Sequence, residues 1–409
     1  MTAVGSRAPG RAAFAFIFVT VTLDMMALGV MIPVLPKLVI AFEHGDTAQA
    51  AIMFGLFGTV WAGMQFLFMP LMGNLSDRFG RRPVVLLSNL GLGLDYVLMA
   101  VAPSLAWLFV GRVVSGIVSA SFSTASAYVA DITPPDQRAK RFGFLGAAFG
   151  IGFIIGPAFG GLLGGIDLRL PFWVAAGLSL VNAAYGYFIL PESLPAERRA
   201  PFSWRKANPF GALAFLRSYP ALLALAAAAF LSRLAHDSLS STYVLYVDYR
   251  YSWNETLVGL SLAGVGVCSM IVQGGLVGPS VAKLGERRVL LAGLLFGATG
   301  FLIQAMAPTG LLFLVGIPFI ALYGLASSAM QAFMSRRVAP TEQGQLQGAI
   351  HSLGGLGGLM APFVFTQTFA TFIAPESPFV LPGAPWLLAV AVLIAAALIA
   401  ERHTRVPPP

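Results

Sequence analysis

Of the chain's 409 residues, 57% are hydrophobic and only 10% are charged, whereas soluble domains carry about 25% charged residues, so a water-dressed globular protein is excluded. The apolar residues fall in long blocks, each near the roughly 20 residues that cross about 30 Å of hydrocarbon as a helix. Lipid is therefore the solvent, and the fold class is all-α integral membrane, because a helix satisfies its own backbone polar groups there.

In chain order, the blocks predict spans near 13–40, 50–71, 84–101, 105–130, 141–164 and 170–190. A second set is predicted near 220–246, 256–277, 289–306, 310–334, 346–373 and 384–400. Between the sets, residues 192–219 carry seven charges and three prolines, the composition of a linker. The expected organisation is twelve transmembrane helices as two six-helix bundles, 1–191 and 220–409, joined by that linker.

Cytoplasmic loops hold an excess of Lys and Arg, and here the distribution is one-sided. The termini, the linker and the loops after spans 2, 4, 8 and 10 hold 20 of the 25 Lys and Arg, including Arg138, Lys140, Arg141, Arg287 and Arg336, against only Lys37, Arg169 and Arg250 on the other side. Both termini are expected in the cytoplasm. The net charge of +8 follows from this bias, and no nucleic-acid partner is inferred from it. The first apolar block is too long for a cleavable signal and contains Asp24. The single cysteine, Cys268, excludes an internal disulfide.

Sliding the chain on itself by 205 residues aligns GNLSDRFGRRPVVLL from Gly73 with GPSVAKLGERRVLL from Gly278, pairing Gly80 with Gly285 and Arg82 with Arg287. The same register pairs Gly111 with Gly316, Pro135 with Pro340, Gly143 with Gly348 and Pro157 with Pro362. Duplication of a six-helix unit explains it. Parallel halves of this kind form a substrate site at the midplane between them.

No Gly-Lys pair exists to build a phosphate-cradling loop. His44, His236, His351 and His403 lack metal-ligand spacing. No metal, cofactor or enzyme activity is expected, and a gradient must supply the energy.

Charged groups inside apolar spans cost about 2.5–3.5 kcal/mol each and are tolerated where they face a cavity or a partner. Six stand out: Asp24 in span 1, Asp95 in span 3, Arg112 in span 4, and Arg233, His236 and Asp237 in span 7. They read as a proton relay with substrate contacts, or as buried structural pairs, Asp95 with Arg112 and Arg233 with Asp237. Arg112 heads a stripe with Ser115, Ser119, Ser123 and Ser126 at helical spacing, suited to a wet cavity or to close packing of small residues. Arg233, His236, Asp237 and Ser240 share one face of span 7. A histidine buried there would titrate near physiological pH.

Three motifs then stand out: GNLSDRFGRRPV at 73–84, GRVVSGI at 111–117, and Gly143, Gly152, Gly156, Pro157, Gly160 and Gly161 in span 5. Together they resemble the major facilitator superfamily, and within it the twelve-span drug:proton antiporters. LDMMALGVMIPVLP at 23–36, LDYVLMA at 94–100, RYSWN at 250–254, GLSLAG at 259–264 and GQLQG at 344–348 are similar to its tetracycline-exporter branch.

The resemblance implies a gating role for Gly73, Asp77, Arg78, Gly80, Arg81 and Arg82, and an antiporter motif in the span 5 glycines and Pro157. It places proton transfer at Arg112, gives Asp24, Asp77 and Asp95 the positions of functional carboxylates, and matches Gln273 to a polar residue of span 8. The sequence departs from that branch at Ser269 and Phe296, where the branch has His and Asp. The span 7 cluster is an addition.

The expected function is proton-coupled export of small organic compounds by alternating access, with Asp24, Asp95, Arg112, His236 and Asp237 coupling protons. Asp24, Arg112, Ser119, Ser123, Arg233, Ser240 and Gln273 would meet substrate. The expected setting is a monomer in the bacterial inner membrane, its partners lipid, protons and a small-molecule substrate. The alternative is a transporter of an endogenous organic anion, motivated by Arg233 and the serines of span 4.

Overall fold

The computed structural model describes residues 9–119, 121–134, 137–202, 216, 219–338 and 342–404, and for 9–13, 121, 122, 138–140, 220, 221 and 344 the backbone alone. Most of the linker, together with Pro135 and Pro340 and the side chains of Arg138 and Lys140, lies outside that description. Among the described residues there is no strand, and twelve helical stretches are long and apolar enough to cross a membrane.

Span 1 runs over Pro9–Met31 and Leu35–Phe42, span 2 over Thr47–Phe79 and span 3 over Arg81–Val101. Span 4 comprises Leu105–Val118 and Ser121–Ile132, span 5 Arg138–Gly164 and span 6 Leu170–Ile189. In the second half, span 7 is Pro220–Tyr251, span 8 Glu255–Leu284 and span 9 Glu286–Met306. Span 10 comprises Gly310–Leu322 and Gly324–Ser335, span 11 is Gln343–Ile373 and span 12 Ala384–His403.

The twofold repeat is visible in element boundaries. Spans 3 and 9 start at Arg81 and Glu286, spans 4 and 10 at Leu105 and Gly310, and spans 5 and 11 at Arg138 and Gln343, each pair 205 residues apart. Gly80 and Gly285 each join two antiparallel helices as a single residue at φ 105° and 77°, a region that glycine enters without steric cost.

Continuous spans were expected, and four are interrupted. Pro33 has no N–H to donate, so span 1 breaks after Met31, where Ile32 and Val34 bond back three residues to Gly29 and Met31 at 3.1 and 3.2 Å. Span 4 breaks at Ser119 (φ −75°, ψ 55°). Span 10 breaks at Tyr323 beside Gly324, and span 8 carries a π-helical turn over Val272–Leu276. Such turns occur often at functional sites.

Each half has its own buried cores. Those of the first half draw on residues between Phe14 and Leu190, and the large core of the second includes Ala51 from across the divide, with Ile40, Ala48, Ile52 and Phe54 packed against it. The halves meet along spans 2 with 11 and 5 with 8. At the end away from the linker the fit is tight. A Cβ on Gly55 would overlap Thr366 of span 11, and one on Gly161 would come 2.8 Å from the Gly259 Cα of span 8. Toward the linker end, Gly73, Gly143, Gly146 and Gly150 of the first half and Gly274, Gly275, Gly278 and Gly354 of the second have open space beside them. The halves therefore form a V, closed at one end and open at the linker end.

Candidate functional site

Asp24, about two turns before the break that follows Met31, is only 5% exposed. Asn182 of span 6 donates to its Oδ1 at 2.9 Å and to the Thr20 carbonyl at 3.1 Å. With the Asn89 amide of span 3 turned nitrogen-first, it lies 3.0 and 3.2 Å from the two Asp24 oxygens, and its oxygen accepts from Asn182 at 3.1 Å. Neutral amides from two other spans thus grip the carboxylate, meeting the requirement that buried charge be hydrogen-bonded.

Asp95 and Arg112 come together inside the first half. Asp95 Oδ2 and Arg112 Nη2 are 3.7 Å apart with both side chains buried, a separation beyond normal hydrogen-bond length. The same Nη2 lies 3.0 Å from the Met99 sulfur and 3.4 Å from that of Met31. Gly111 makes room for the carboxylate, since a Cβ there would sit 2.9 Å from Asp95 Oδ1.

Asp24, Arg112, Ser115, Ser119, Trp61 and Tyr96 line a cavity of about 30 Å³, the volume of roughly one liquid water. It is too small for a drug, whose pocket would measure roughly 300–1,000 Å³. The serine stripe does not continue as one face, because the break at Ser119 divides it. Ser115 bonds back to the Gly111 carbonyl at 2.9 Å, and Ser119 accepts from Gln65 of span 2 at 3.1 Å. Ser123 lies past the break and outside the cavity lining.

The second half is built differently. Arg233 Nε is 2.9 Å from Asp237 Oδ2, with the arginine side chain 55% exposed and the aspartate 10%. The pair faces spans 2 and 11: Arg233 Cγ lies beside Gly357, and Asp237 near Gly358, whose other neighbour is Ala62. His236, expected to be buried, is exposed on the same wall. Its ring stacks on Tyr323 at 5.6 Å, and the Tyr323 hydroxyl donates to the Ser232 carbonyl at 2.8 Å. Ser240 is exposed and donates to the Asp237 carbonyl. Gln273, in the π-helical turn, accepts from Ser328 of span 10 at 3.5 Å.

The signature loop is tied to its own half. Arg81 pairs with Asp77 at 2.6 Å and Asp131 at 3.1 Å, and Glu192 accepts from the backbone N–H groups of Arg81 and Arg82 at 2.8 and 3.3 Å. The Glu192 carboxylate fills the space a Gly80 side chain would need. Arg82 donates to the Tyr187 carbonyl, and Arg78 lies over the Phe79 ring. With the halves apart at this end, the loop makes none of its described ion pairs across the gap.

The span 5 glycines serve two neighbours. Gly152, Gly156 and Gly160 abut span 1, where a Cβ on Gly156 would come 2.7 Å from the Gly29 Cα, while Gly161 abuts span 8. Gly143 has open space. Pro157 also meets Gly29, so the motif couples the helix carrying Asp24 to the interface between halves.

Sequence reasoning missed the latch at the closed end. Lys37 Nζ, from the short second segment of span 1, contacts Asp248 at 2.9 Å, Glu255 at 3.3 Å and the Trp253 carbonyl at 2.6 Å, all in the second half. It missed Asn89 and Asn182 because only charged residues were sought inside spans. Any strong hydrogen-bonding side chain there is costly to bury unpaired, and that signal would have found both.

The Major Facilitator Superfamily family model matches residues 17–362 and 229–409. The tetracycline resistance protein, class C, of Escherichia coli is 37% identical over 375 residues, covering 92% of this chain and 93% of its own. The class G protein of Vibrio anguillarum is 38% identical over 350 residues, covering 86% and 88%. A bacterial homologue of the human lysosomal transporter Spinster, solved inward-facing and unoccupied, superposes with TM-score 0.78 over 98% of each chain at 17% identity, a likeness of fold.

Proposed function

Because the chain belongs to the Major Facilitator Superfamily and is a multi-pass membrane transporter rather than an enzyme, we propose that it exports tetracycline-like organic compounds in exchange for protons. The observation that carries the coupling is the charge count inside the first half, where two carboxylates, Asp24 and Asp95, are buried together with one guanidinium, Arg112, which lies near Asp95 and shares a cavity with Asp24. With both carboxylates ionised, one negative charge is left in this interior, where the cavity between Asp24 and Arg112 measures only about 30 Å³. A proton neutralises that charge, and so does a cationic group of an arriving substrate, and competition between the two is the coupling.

On this reading the linker end faces the cytoplasm, as the Lys and Arg distribution favours, in a bacterial inner membrane. The V then admits substrate from inside while the Lys37 latch seals the periplasmic end. Outward opening breaks the latch, brings the open ends together and lets periplasmic protons reach Asp24 and Asp95. The proton gradient supplies the energy, and a single chain is the transport unit, since both walls of the gap belong to it.

The exposed Arg233, with His236, Ser240 and Gln273, forms the cargo-facing wall. Arg233 also supports a second reading, transport of an endogenous organic anion. Purified protein in proteoliposomes with an imposed pH gradient, given tetracycline and a panel of cationic, neutral and anionic compounds, separates the two. Export predicts accumulation of tetracycline or a related compound on the acidic side. Movement of an organic anion with no proton countermovement would replace it with the second reading.

A further inference from the structure

We infer that the linker end of the second half binds the phosphate headgroup of an anionic phospholipid. The side of the membrane rests on the orientation proposed above; the site itself rests on its own geometry. At the junction of spans 8, 9 and 10 lies a pocket of about 560 Å³ rimmed by Arg287, Arg288, Arg336 and Arg337, within the roughly 300–1,000 Å³ range of ligand pockets.

Three of the four arginines are oriented by contacts within the second half. Arg336 pairs with Glu286 at 2.7 Å, and Arg287 lies 3.9 Å from Glu401 and donates to Thr404 at 3.3 Å. Arg337 donates to the His403 carbonyl at 3.0 Å, and Arg288 is exposed, with no described ion pair or hydrogen bond. A guanidinium has five N–H donors in a fork that matches phosphate, and those of Arg288 have no described acceptor. Of the four guanidinium groups, Arg336 and Arg287 meet Glu286 and Glu401, and Arg288 makes no described ion pair, so positive charge is in excess.

The 205-residue register shows where this surplus lies. Residues 205 apart form the same ion pair with its polarity inverted: Arg81 with Asp131 in the first half, Glu286 with Arg336 in the second. In the first half the surrounding arginines are met by Asp77, Asp131 and Glu192. In the second, the positions of Asp77 and Asp131 hold Ala282 and Arg336. A bias that served orientation alone needs charges in loops, not a pocket that gathers four of them.

Two features favour a lipid over a soluble phosphate. The remaining lining includes Val281, Leu284 and Phe333, an apolar surface suited to a glycerol backbone and acyl chain. Spans 9 and 12 pack mainly within their own half and leave Leu295, Leu302, Met306, Ile394 and Leu398 exposed, as lipid-facing helices do. Basic pockets between helices on this side of a membrane take anionic headgroups.

The test is native mass spectrometry of the purified full chain in detergent, titrated with phosphatidylglycerol, with phosphatidylethanolamine as the zwitterionic comparison and inorganic phosphate as the soluble competitor. The expected result is one retained phosphatidylglycerol, weakened about thirtyfold by Arg288→Gln with Arg336→Gln, at about a factor of five for each arginine near the surface. Arg288→Gln alone removes a group with no described partner, so its expected loss of about fivefold does not depend on folding. The double lysine variant should retain part of the binding, and Arg198→Gln with Arg199→Gln should leave it unchanged. Equal loss in that control, equal retention of phosphatidylethanolamine, or displacement by millimolar inorganic phosphate would overturn the inference. The detergent complex has no sidedness and needs no substrate, so a failed site leaves the export reading standing, and failed transport leaves the site standing.

Discussion

The two halves share a 205-residue register, yet they treat charge oppositely. In the first, Asp24, Asp95 and Arg112 are buried among amides, sulfurs and aromatic rings around a space of about 30 Å³. In the second, the Arg233–Asp237 pair lies on the wall of the gap with the arginine 55% exposed. The difference assigns labour. A charge imbalance sealed from water is felt strongly and must be answered by a proton or a cation, whereas a hydrated pair is screened and can be approached by cargo without upsetting the fold.

The sharpest way to break this comparison is to remove one cation from each half. Arg112→Ala strands Asp95 in the interior, and breaking a buried pair in this way costs about 3–5 kcal/mol. Thermal unfolding in detergent should show a large drop in midpoint; an unchanged midpoint would mean that the first-half pair is as dispensable as a surface one. Next in size is the latch. Lys37→Ala removes charge-assisted contacts worth about 1.5–3 kcal/mol each from the state closed at that end. A distance reporter across the ends of spans 1 and 7 should register a shift toward separation of tenfold or more in population. An unchanged distribution would mean that helix packing alone keeps that end shut. The smallest effect belongs to Arg233→Ala, because the arginine is 55% exposed and water screens its pairing with Asp237. The midpoint should fall far less than in Arg112→Ala, while the KM for substrate rises with the proton stoichiometry intact. Loss of coupling in this variant would move part of the proton path into the second half.

Much of this architecture was legible in the chain. Hydropathy blocks marked all twelve spans, because lipid imposes helices of a fixed minimum length, and the 205-residue register anticipated helix starts such as Arg81 and Glu286. The Asp95–Arg112 and Arg233–Asp237 pairings were also foreseeable, the latter from i, i+4 spacing alone. What sequence hid was tertiary. Lys37 and Asp248 are far apart along the chain, and only the docking of one half on the other makes them a latch. Asn89 and Asn182 look unremarkable until spans 3 and 6 converge on Asp24. The exposure of His236 depends on where the gap lies, and the interruption at Ser119 carries no proline signal to announce it.

The central claim is that proton exchange resides in the first half. Substrate-driven proton release from proteoliposomes containing Asp24→Asn, set beside Asp237→Asn in the same preparation, tests it directly. The account predicts that Asp24→Asn abolishes proton release while Asp237→Asn retains it with altered substrate affinity. Full release from Asp24→Asn, or its loss only in Asp237→Asn, would contradict it.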